Sequence, residues 1–331
     1  MGSKLAQKWV KENRMPLGAQ KAGLFGAAGA AAGGGQIGLF WGGDQLGGNY
    51  VNVIDYVTIS SDGNATDFGN LGRTQAHGAA TDNGTDARGV NGGGAYPDGA
   101  NYANFIDYVT ITSPGDATDF GDLSAARSQT SACSNGTNDR GVFYGGGDVT
   151  QIDYITITST GNAADFGDSP AASESRKAGT SNGTDERGVF QGGYRNATNR
   201  DHIDYITINS AGNSSDFGDL TVGRQEASGM SNDTSDRGVC AGGDGSNVID
   251  YITITSTGNS TDFGDAVGSG GEKRRGGTDS GTDNIGIFGG GPAGGAKTID
   301  KITISSTGNA SDFGDRTVNG YGVSACANSK A

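Results

Sequence analysis

Aspartates at a recurring position are the first residues of this chain whose type and spacing could do chemistry. Carboxylates of this kind can bind metal ions or act as general acids and bases. Because an active site is ordinarily built once in a chain, sixfold recurrence predicts a structural role instead. We expect each carboxylate to accept hydrogen bonds from backbone amides of the preceding Gly-rich loop. The six residues are Asp55, Asp107, Asp153, Asp204, Asp250 and Asp300.

A second recurring motif is Asp-Phe-Gly, which in protein kinases carries a magnesium-binding aspartate. Here the motif occurs six times, without a His-Arg-Asp partner or a Gly-rich nucleotide loop. We therefore interpret each phenylalanine as a packing anchor between neighbouring structural units, with the glycine permitting a turn. The phenylalanines are Phe68, Phe120, Phe166, Phe217, Phe263 and Phe313.

Two further patterns each leave an alternative open. Ser61–Asp67 is similar to part of a calcium loop, but the other copies lack its first aspartate, which favours a tight turn. Four arginines precede Gly-Val and have an acidic neighbour, which favours ion pairs within each repeat over a ring that binds anions. These arginines are Arg88, Arg140, Arg187 and Arg237.

The histidines and cysteines do not form a catalytic or metal-binding pattern. His77 and His202 lie in different contexts, which argues against a zinc site or a Ser–His triad. Cys133, Cys240 and Cys326 form neither a disulfide framework nor a metal spacing. Cys133 and Cys326 share one local sequence, so we expect small buried residues on equivalent strands. The sequence therefore predicts no enzymatic activity, no cofactor and no metal.

All these positions belong to one segment that returns six times. Its first copy is Ile54–Ile59, and later copies begin at Ile106, Ile152, Ile203, Ile249 and Ile299. Repetition at about 50 residues indicates a propeller or a solenoid. Runs of β-branched residues bounded by turn residues predict strands. Many tight turns and closely packed sheets would also account for the 63 glycines among 331 residues.

One repeat, Arg176–Asp219, illustrates the predicted strands. Asn182-Gly183 predicts a two-residue type I′ hairpin, and the second strand ends at Gly192-Gly193. A polar loop, a third strand and a second tight turn lead to a fourth strand that contains Phe217. Four antiparallel strands in sequence form one blade of a β-propeller.

The two ends of the chain complete the last blade. The first repeat begins at its second strand, and Arg316–Asn328 reads as a first strand without a second. Ser324–Asn328 repeats the pattern of Ser131–Asn135, so we expect the C-terminal strand to close the ring. The prediction is an all-β, six-bladed propeller over residues 36–331, with four-stranded antiparallel blades and an N-terminal extension of residues 1–35.

The repeat resembles that of kelch-type propellers. The shared features are Gly-Gly after an apolar second strand, an aspartate on the third strand and an aromatic residue on the fourth. Asp-Phe-Gly departs from the tryptophan that kelch repeats generally carry there. The wording Ile-Asp-Tyr-Ile-Thr-Ile, followed by Gly-Asn-Ala-x-Asp-Phe-Gly-Asp, is similar to kelch-like repeat proteins of marine tailed phages. That resemblance implies a virion structural or tail-fibre protein.

Alternating strand direction gives the predicted ring one constant face and one variable face. The Asn-Gly and Gly-Asn turns lie on the constant face, whereas the Gly-Gly loops and the connections between blades lie on the variable face. Aromatic and basic residues in variable loops are typical of binding surfaces. The predicted ligand-binding residues of this rim are Trp41, Tyr96, Tyr102, Tyr144, Tyr194, Arg195, Arg200 and His202.

The N-terminal extension has a composition of its own. Ser3–Arg14 predicts a short helix with Leu5, Trp9 and Val10 on one side, and residues 17–35 read as a Gly/Ala-rich tether. We expect these three apolar residues to dock into a larger assembly. The extension is basic although the chain has a net charge of −14; its charged residues are Lys4, Lys8, Lys11, Arg14 and Lys21 against Glu12.

These features predict a phage virion structural protein on the tail, fibre or capsid surface. Other virion proteins, in an assembly with multiple copies, would be its partners through the extension. The alternatives are a glycan-binding adhesin that recognises a host surface and an intracellular kelch scaffold. The acidic body argues against nucleic-acid binding. The lack of a long apolar run argues against membrane insertion, and the polar N-terminus predicts synthesis in the host cytoplasm without a signal peptide.

Overall fold

A computed structural model describes the ring in seven stretches: 36–45, 48–97, 102–147, 149–170, 175–267, 275–291 and 297–329. Six four-stranded antiparallel sheets follow one another around an axis and form a β-propeller, as the repeats predicted. We call the strands of each blade a, b, c and d, in order from the axis outward. Each strand a packs against the strands a of both neighbouring blades, so the inner strands form a complete circle.

The blades are numbered 1 to 6 in the order of their strands c. The strands a are Ser324–Ala327, Ala79–Asp82, Ser131–Ser134, Ala178–Ser181, Ser228–Ser231 and Gly276–Asp279. The strands b are Ile37–Asp44, Arg88–Gly92, Arg140–Tyr144, Arg187–Gln191, Arg237–Ala241 and Ile285–Gly289. The strands c are Tyr50–Thr58, Phe105–Thr110, Gln151–Thr156, His202–Thr207, Val248–Thr253 and Thr298–Thr303. The strands d are Thr66–Asn70, Thr118–Asp122, Ala164–Asp168, Ser215–Asp219, Thr261–Asp265 and Ser311–Asp315.

The prediction that the C-terminal strand closes the ring is confirmed. Strand a of blade 1 pairs antiparallel with strand b, with Gly38 opposite Ala327 and Trp41 opposite Ser324. The side chain of Asn328 also accepts a hydrogen bond from the Ile37 amide at 2.6 Å. Blade 1 is therefore built from both ends of the described chain, and no blade is left with an open inner edge.

The loops between strands a and b differ from the predicted type I′ hairpins. Such a turn needs positive φ at both central residues, but Asn83 has φ −105° and Asn182 has φ −98°. Each loop instead contains one short 3-10 turn and a left-handed residue. In four of the five loops an asparagine side chain accepts the backbone amide five residues later, as Asn83 does from Arg88 at 2.7 Å, and Ser280 takes this place in blade 6. The 3-10 turns are Gly84–Asp86, Gly136–Asn138, Gly183–Asp185, Asp233–Ser235 and Gly281–Asp283.

The hydrophobic core consists of layers between neighbouring blades. Phe120 on strand d of blade 2 packs with Phe143 and Ile155 of blade 3, and all three side chains are buried. Phe166, Phe217, Phe263 and Phe313 hold matching places, which confirms their role as packing anchors. Burying a phenylalanine contributes about 1.5–3 kcal/mol. These layers therefore join the blades into one ring.

The glycine of Asp-Phe-Gly allows the next blade to approach. A β-carbon at Gly121, where φ is 144°, would lie 2.4 Å from the carbonyl oxygen of Gly161 in the turn of blade 3. That turn donates two backbone hydrogen bonds to blade 2, from Gly161 to Phe120 and from Ala163 to Asp122. Asn162 accepts a third, from the Asp122 amide at 3.1 Å. The Gly-Asn turns are therefore contacts between blades.

Strand a has small residues near the axis. Gly179 and Gly229 occupy equivalent positions, and a β-carbon at Gly229 would lie 2.1 Å from the Gly179 carbonyl oxygen. The inner strands therefore approach closely enough to leave a narrow centre. Cys133 and Cys326 are buried at equivalent positions of strands a in blades 3 and 1, as predicted.

Candidate functional site at the axial mouth

The repeated aspartates on strands c are structural, but their partners differ from those predicted. Asp153 meets the guanidinium of Arg127 at 2.7 Å, and both side chains are fully buried. Ser124 donates to the same carboxylate from its hydroxyl and its backbone amide. Each cation lies in the connection just before strand a of its own blade. The other pairs are Asp55–Arg316, Asp204–Lys177, Asp250–Arg224 and Asp300–Arg275.

Burial shifts the pKa values of Asp55 and Arg316, the ion pair of blade 1, in opposite directions. Desolvation raises the pKa of the Asp55 carboxyl, against the lowering effects of Arg316 and Thr317. Desolvation lowers the pKa of the Arg316 guanidinium, although Asp55 raises it. Desolvation likewise raises the pKa of the Asp300 carboxyl, against the lowering effect of Arg275. These carboxylates fix the connections between blades and are not exposed to a substrate.

The four arginines before Gly-Val do not form the predicted ion pairs. Their guanidinium carbons lie 4.3–4.6 Å above the centroids of tyrosine rings on strand c of the same blade, as Arg88 does over Tyr108. Each arginine also donates to backbone carbonyls of the next blade, as Arg88 does to Ile157 at 3.1 Å. Because the guanidinium groups bridge blades at this end of the ring, the alternative of an anion-binding ring also lacks support.

A different set of residues, one from each of five blades, lies around the axis at the opposite end of the ring. His77, Gln129, Arg176 and Glu226 precede strand a in blades 2 to 5 and have left-handed backbones, with φ between 58° and 66°. Gly322 holds this position in blade 1 with φ 70°. The counterpart in blade 6 lies outside the described residues. We call these five residues the axial mouth.

Backbone hydrogen bonds link the axial mouth from one blade to the next. His77 donates to the carbonyl of Gly322 at 2.7 Å, and Gln129 donates to His77 at 2.8 Å. Arg176 donates to Gln129 and Glu226 donates to Arg176, both at 2.9 Å. The backbone is therefore held in one repeated conformation, whereas the side chains are an imidazole, an amide, a guanidinium, a carboxylate and a hydrogen atom.

No protein-family model and no curated protein matches this chain.

Side chains at the axial mouth border a depression of about 80 Å³. Arg176 forms an ion pair with Glu226 at 3.1 Å and donates to Gln225 at 2.6 Å. Its guanidinium also lies 4.8 Å above the Tyr194 ring. On the other side, the His77 ring lies edge-on to Tyr50, with centroids 6.2 Å apart. The arrangement offers donors, acceptors and aromatic edges to a bound group.

Two of the predicted rim residues are core residues. Trp41 and Tyr144 precede Gly-Gly and are each 1% exposed, because this position faces the adjoining blade. The Tyr144 ring stacks on Phe190 of blade 4 with centroids 4.0 Å apart, and its hydroxyl donates to Asp204 at 2.8 Å. The structure therefore places these two side chains in the core between blades and not on the exposed rim.

Four other predicted residues lie on or beside two loops of the variable face. Tyr102 is 50% exposed. Tyr194 and Arg195 form the first strand of a small hairpin with Thr198–Asn199, and Tyr194 reaches the axial mouth through Arg176. Arg200 follows the hairpin and donates its backbone amide to Gly193. That these residues bind a ligand stays a prediction.

Tyr96 and His202 are held by neighbouring side chains. The Tyr96 hydroxyl accepts a hydrogen bond from Arg73 at 3.4 Å, and burial raises the pKa of this tyrosine. His202 Nε2 lies 3.1 Å from the buried carboxylate of Asp204, which Tyr144 and Lys177 also contact. His202 thus belongs to a cluster around Asp204 that the structure brings together from two blades.

Other predictions about binding have different outcomes. The docking residues Leu5, Trp9 and Val10 lie outside the described residues. Within the described stretches, no group of three or more His, Cys, Asp or Glu side chains could hold a metal ion. No helix in the described part of the chain has the length and apolar character needed to cross a membrane.

The axial mouth was not among the sites predicted from the sequence. Its signal is visible when the repeats are aligned on the small residues of strand a, because the residue two positions earlier differs among blades 1 to 5. His77, Gln129, Arg176 and Glu226 occupy that position. Long loops attract attention in a sequence, whereas one variable residue beside a regular strand does not.

Proposed function

We propose that this protein is a non-catalytic binding module that engages another macromolecule through its axial mouth. The supporting observation is that four blades place chemically unrelated side chains on the same hydrogen-bonded, left-handed backbone position. A scaffold that holds its backbone constant and varies its side chains is suited to recognition. Five of the six repeated aspartates support the non-catalytic part of this proposal, since burial and ion pairing occupy them in folding.

A protein is the partner that the axial mouth fits best. The rim beside Arg176 carries Tyr194 and Arg195, and tyrosine and arginine are enriched among residues that dominate protein–protein affinity. The mouth itself is polar and mixed in charge, which favours a partner segment that supplies both donors and acceptors.

The location that we propose is a phage virion, on the tail, fibre or capsid surface. This part rests on the similarity of the repeats to kelch-like proteins of marine tailed phages. Mass spectrometry of purified virions tests it directly. Detection of this protein at a fixed number of copies per particle is the expected result, and its absence from intact particles would overturn the proposal.

The axial mouth is tested by a bulky substitution with a matched control. Gln129→Trp should obstruct the mouth, whereas Thr160→Trp places the same side chain on an exposed turn at the other end of the ring. Phage particles with the first variant should lose incorporation of the protein or adsorption to the host, and particles with the second should retain both. Equal behaviour of the two variants would contradict a role for the mouth.

A glycan-binding adhesin is the second candidate, and one observation favours it. Tyr102 exposes half of its surface in a variable loop, and exposed aromatic rings provide stacking surfaces for sugars. Binding on a glycan array that Tyr102→Ala removes and Val222→Ala preserves would support this candidate. Val222 is a suitable control because it is 46% exposed in another connection.

A further inference from the structure

The junction between blades 6 and 1 lacks an arginine that four other junctions have. In blades 2 to 5, an arginine at the start of strand b lies over a tyrosine and donates to the next blade. Arg88 donates from Nη1 to the carbonyls of Ile157 and Thr158, at 3.1 and 2.9 Å. Arg187 repeats this contact with Ile254 and Thr255, at 3.3 and 3.0 Å. Each groove between these blades therefore holds a guanidinium that belongs to the protein itself.

Blade 6 has replaced both members of this arrangement. Ile285 stands at the arginine position and Lys301 at the tyrosine position. The carbonyls equivalent to those of Ile157 and Thr158 belong to Ile59 and Ser60 of blade 1. A cavity of about 280 Å³ lies here, lined by these four residues together with Asp62 and Ile302. We call it the seam groove.

The junction from blade 1 to blade 2 has also lost the arginine, but the residue that replaces it there is buried. Ile37 holds the arginine position in blade 1, and its side chain is 3% exposed. Blade 1 also retains Tyr56, which packs edge-on against Phe68. Ile285 is only half-buried, and its groove is rimmed by charged residues.

The charged side chains at the seam groove are exposed, so another cation could replace one of them in its ion pair. Lys301 forms an ion pair with Asp62, and the two side chains are 32% and 55% exposed. Pairs of this exposure contribute little stability. A planar guanidinium can bind a carboxylate through two hydrogen bonds, which an ammonium cannot do, so an arginine could take Asp62 from Lys301.

We propose that the seam groove binds an arginine side chain of a partner protein. The entering guanidinium would donate to the carbonyls of Ile59 and Ser60 and to the Asp62 carboxylate, while its methylene groups pack on Ile285 and Ile302. In four grooves of the same ring an arginine donates to the equivalent isoleucine carbonyl, which defines the chemistry of the occupant. This site lies at the opposite end of the ring from the axial mouth and does not depend on the function proposed there.

The test uses isoleucine methyl NMR on the full chain, with N-acetyl-arginine amide as the probe. Ile59, Ile285 and Ile302 line the groove, so their methyl signals should shift and saturate with a millimolar dissociation constant. The signals of Ile157 and Ile254 should not move, because their carbonyls already accept hydrogen bonds from Arg88 and Arg187. N-acetyl-lysine amide should bind more weakly.

Three variants make the result decisive. Ile285→Arg places an arginine in the groove, as in blades 2 to 5, and should abolish the shifts at Ile59 and Ile302. Asp62→Asn should weaken binding about fivefold by removing the carboxylate. Lys301→Tyr should tighten binding about fivefold, since it removes a competing cation and adds the aromatic ring found in the other blades.

Two outcomes would overturn the proposal. One is the absence of saturable shifts at Ile59 and Ile302 in the unmodified protein. The other is unchanged binding in folded Ile285→Arg protein, whose fold is verified by unchanged methyl signals in blades 2 to 5. Failure of this test would leave the axial-mouth proposal intact, because Gln129→Trp probes the other end of the ring.

Discussion

Gly92 of blade 2 lies directly against the ring of Phe143 in blade 3. A β-carbon at position 92 would stand 2.7 Å from Cε1 of Phe143 and 3.0 Å from its Cζ. The phenylalanine is fully buried, so it has no free space into which it could move. The absence of a side chain at one blade therefore makes room for a large side chain of the next.

Gly92→Ala should destabilise the ring by about 1–3 kcal/mol, the usual effect of overpacking a close-packed core. Chemical denaturation measures this change in the free energy of unfolding. Gly115→Ala is the matched control, because a β-carbon there has no atom within 4 Å. It should change stability by no more than about 0.5 kcal/mol. Equal stabilities of the two variants would contradict the packing argument.

At other junctions, different pairs of residues fill the space between the two blades. Gly289 faces Phe40 across the junction of blades 6 and 1, where a β-carbon would lie 3.1 Å from the ring. Tyr144 instead lies flat on Phe190. In the sequence the positions before Gly-Gly look variable, and two of them, Trp41 and Tyr144, are predicted to belong to a binding rim. Their variation is compensated across junctions, which one repeat read by itself does not show.

The fold was predictable because its signals are local and repeated six times. The Ile-Asp-Tyr-Ile-Thr-Ile strands and the similarity of Ser324–Asn328 to Ser131–Asn135 sufficed to predict six blades and their closure. The partners of the aspartates were not predictable in this way. Arg127 lies seven residues after its Phe120 and Arg316 three after Phe313, and this irregular spacing hides a constant contact.

The buried ion pairs predict a contrast between two Asp→Asn variants. Asp153→Asn leaves the buried Arg127 guanidinium without its carboxylate and should cost about 3–5 kcal/mol. Asp107→Asn should cost about 1 kcal/mol or less, because Arg73 lies over Phe105 at 3.5 Å and attracts Asp107 from a greater distance. Unfolding in denaturant measures both. A larger loss for Asp107→Asn would contradict the assignment.

The raised pKa of Asp107 predicts how the free energy of unfolding varies with pH. Burial raises the pKa of Asp107 above its ordinary value of 3.8, so the folded protein binds this proton more tightly than the unfolded chain. Its contribution is therefore present below about pH 4 and is lost as pH rises through the folded pKa. Between about pH 4 and the folded pKa, Asp107→Asn should make the slope of the free energy of unfolding against pH less negative. Identical slopes for variant and unmodified protein would refute the assignment.

The N-terminal extension gives a prediction about assembly. Removing residues 1–35 should leave a folded ring, because the first described strand begins at Ile37. It should abolish incorporation into the larger assembly, and Trp9→Ala should reproduce much of this loss, since buried aromatic residues dominate interfaces. Incorporation should also weaken at high salt, because the extension is basic. Circular dichroism and particle composition measure the two effects. Normal incorporation of the shortened protein would contradict a docking role.

Removing the residues after Asp315, in contrast, should destabilise the ring and open it. Strand a of blade 1, Ser324–Ala327, would be lost, and strand b of that blade would expose an unpaired edge. Asp55 would remain buried without Arg316, which approaches it at 3.0 Å. An open edge promotes pairing with other chains, and an uncompensated buried charge is strongly destabilising.

Two point substitutions separate these causes. Arg316→Met removes the charge and keeps the strand, so it should lower the free energy of unfolding by about 3–5 kcal/mol without exposing an edge. Ala327→Pro removes the amide that donates to Asp82 of blade 2 at 3.3 Å and places a proline ring in the closing strand, which should weaken the closure and favour association. Light scattering at several protein concentrations distinguishes a destabilised monomer from an aggregate. A monomeric and stable truncated protein would show that the ring does not need its C-terminal strand.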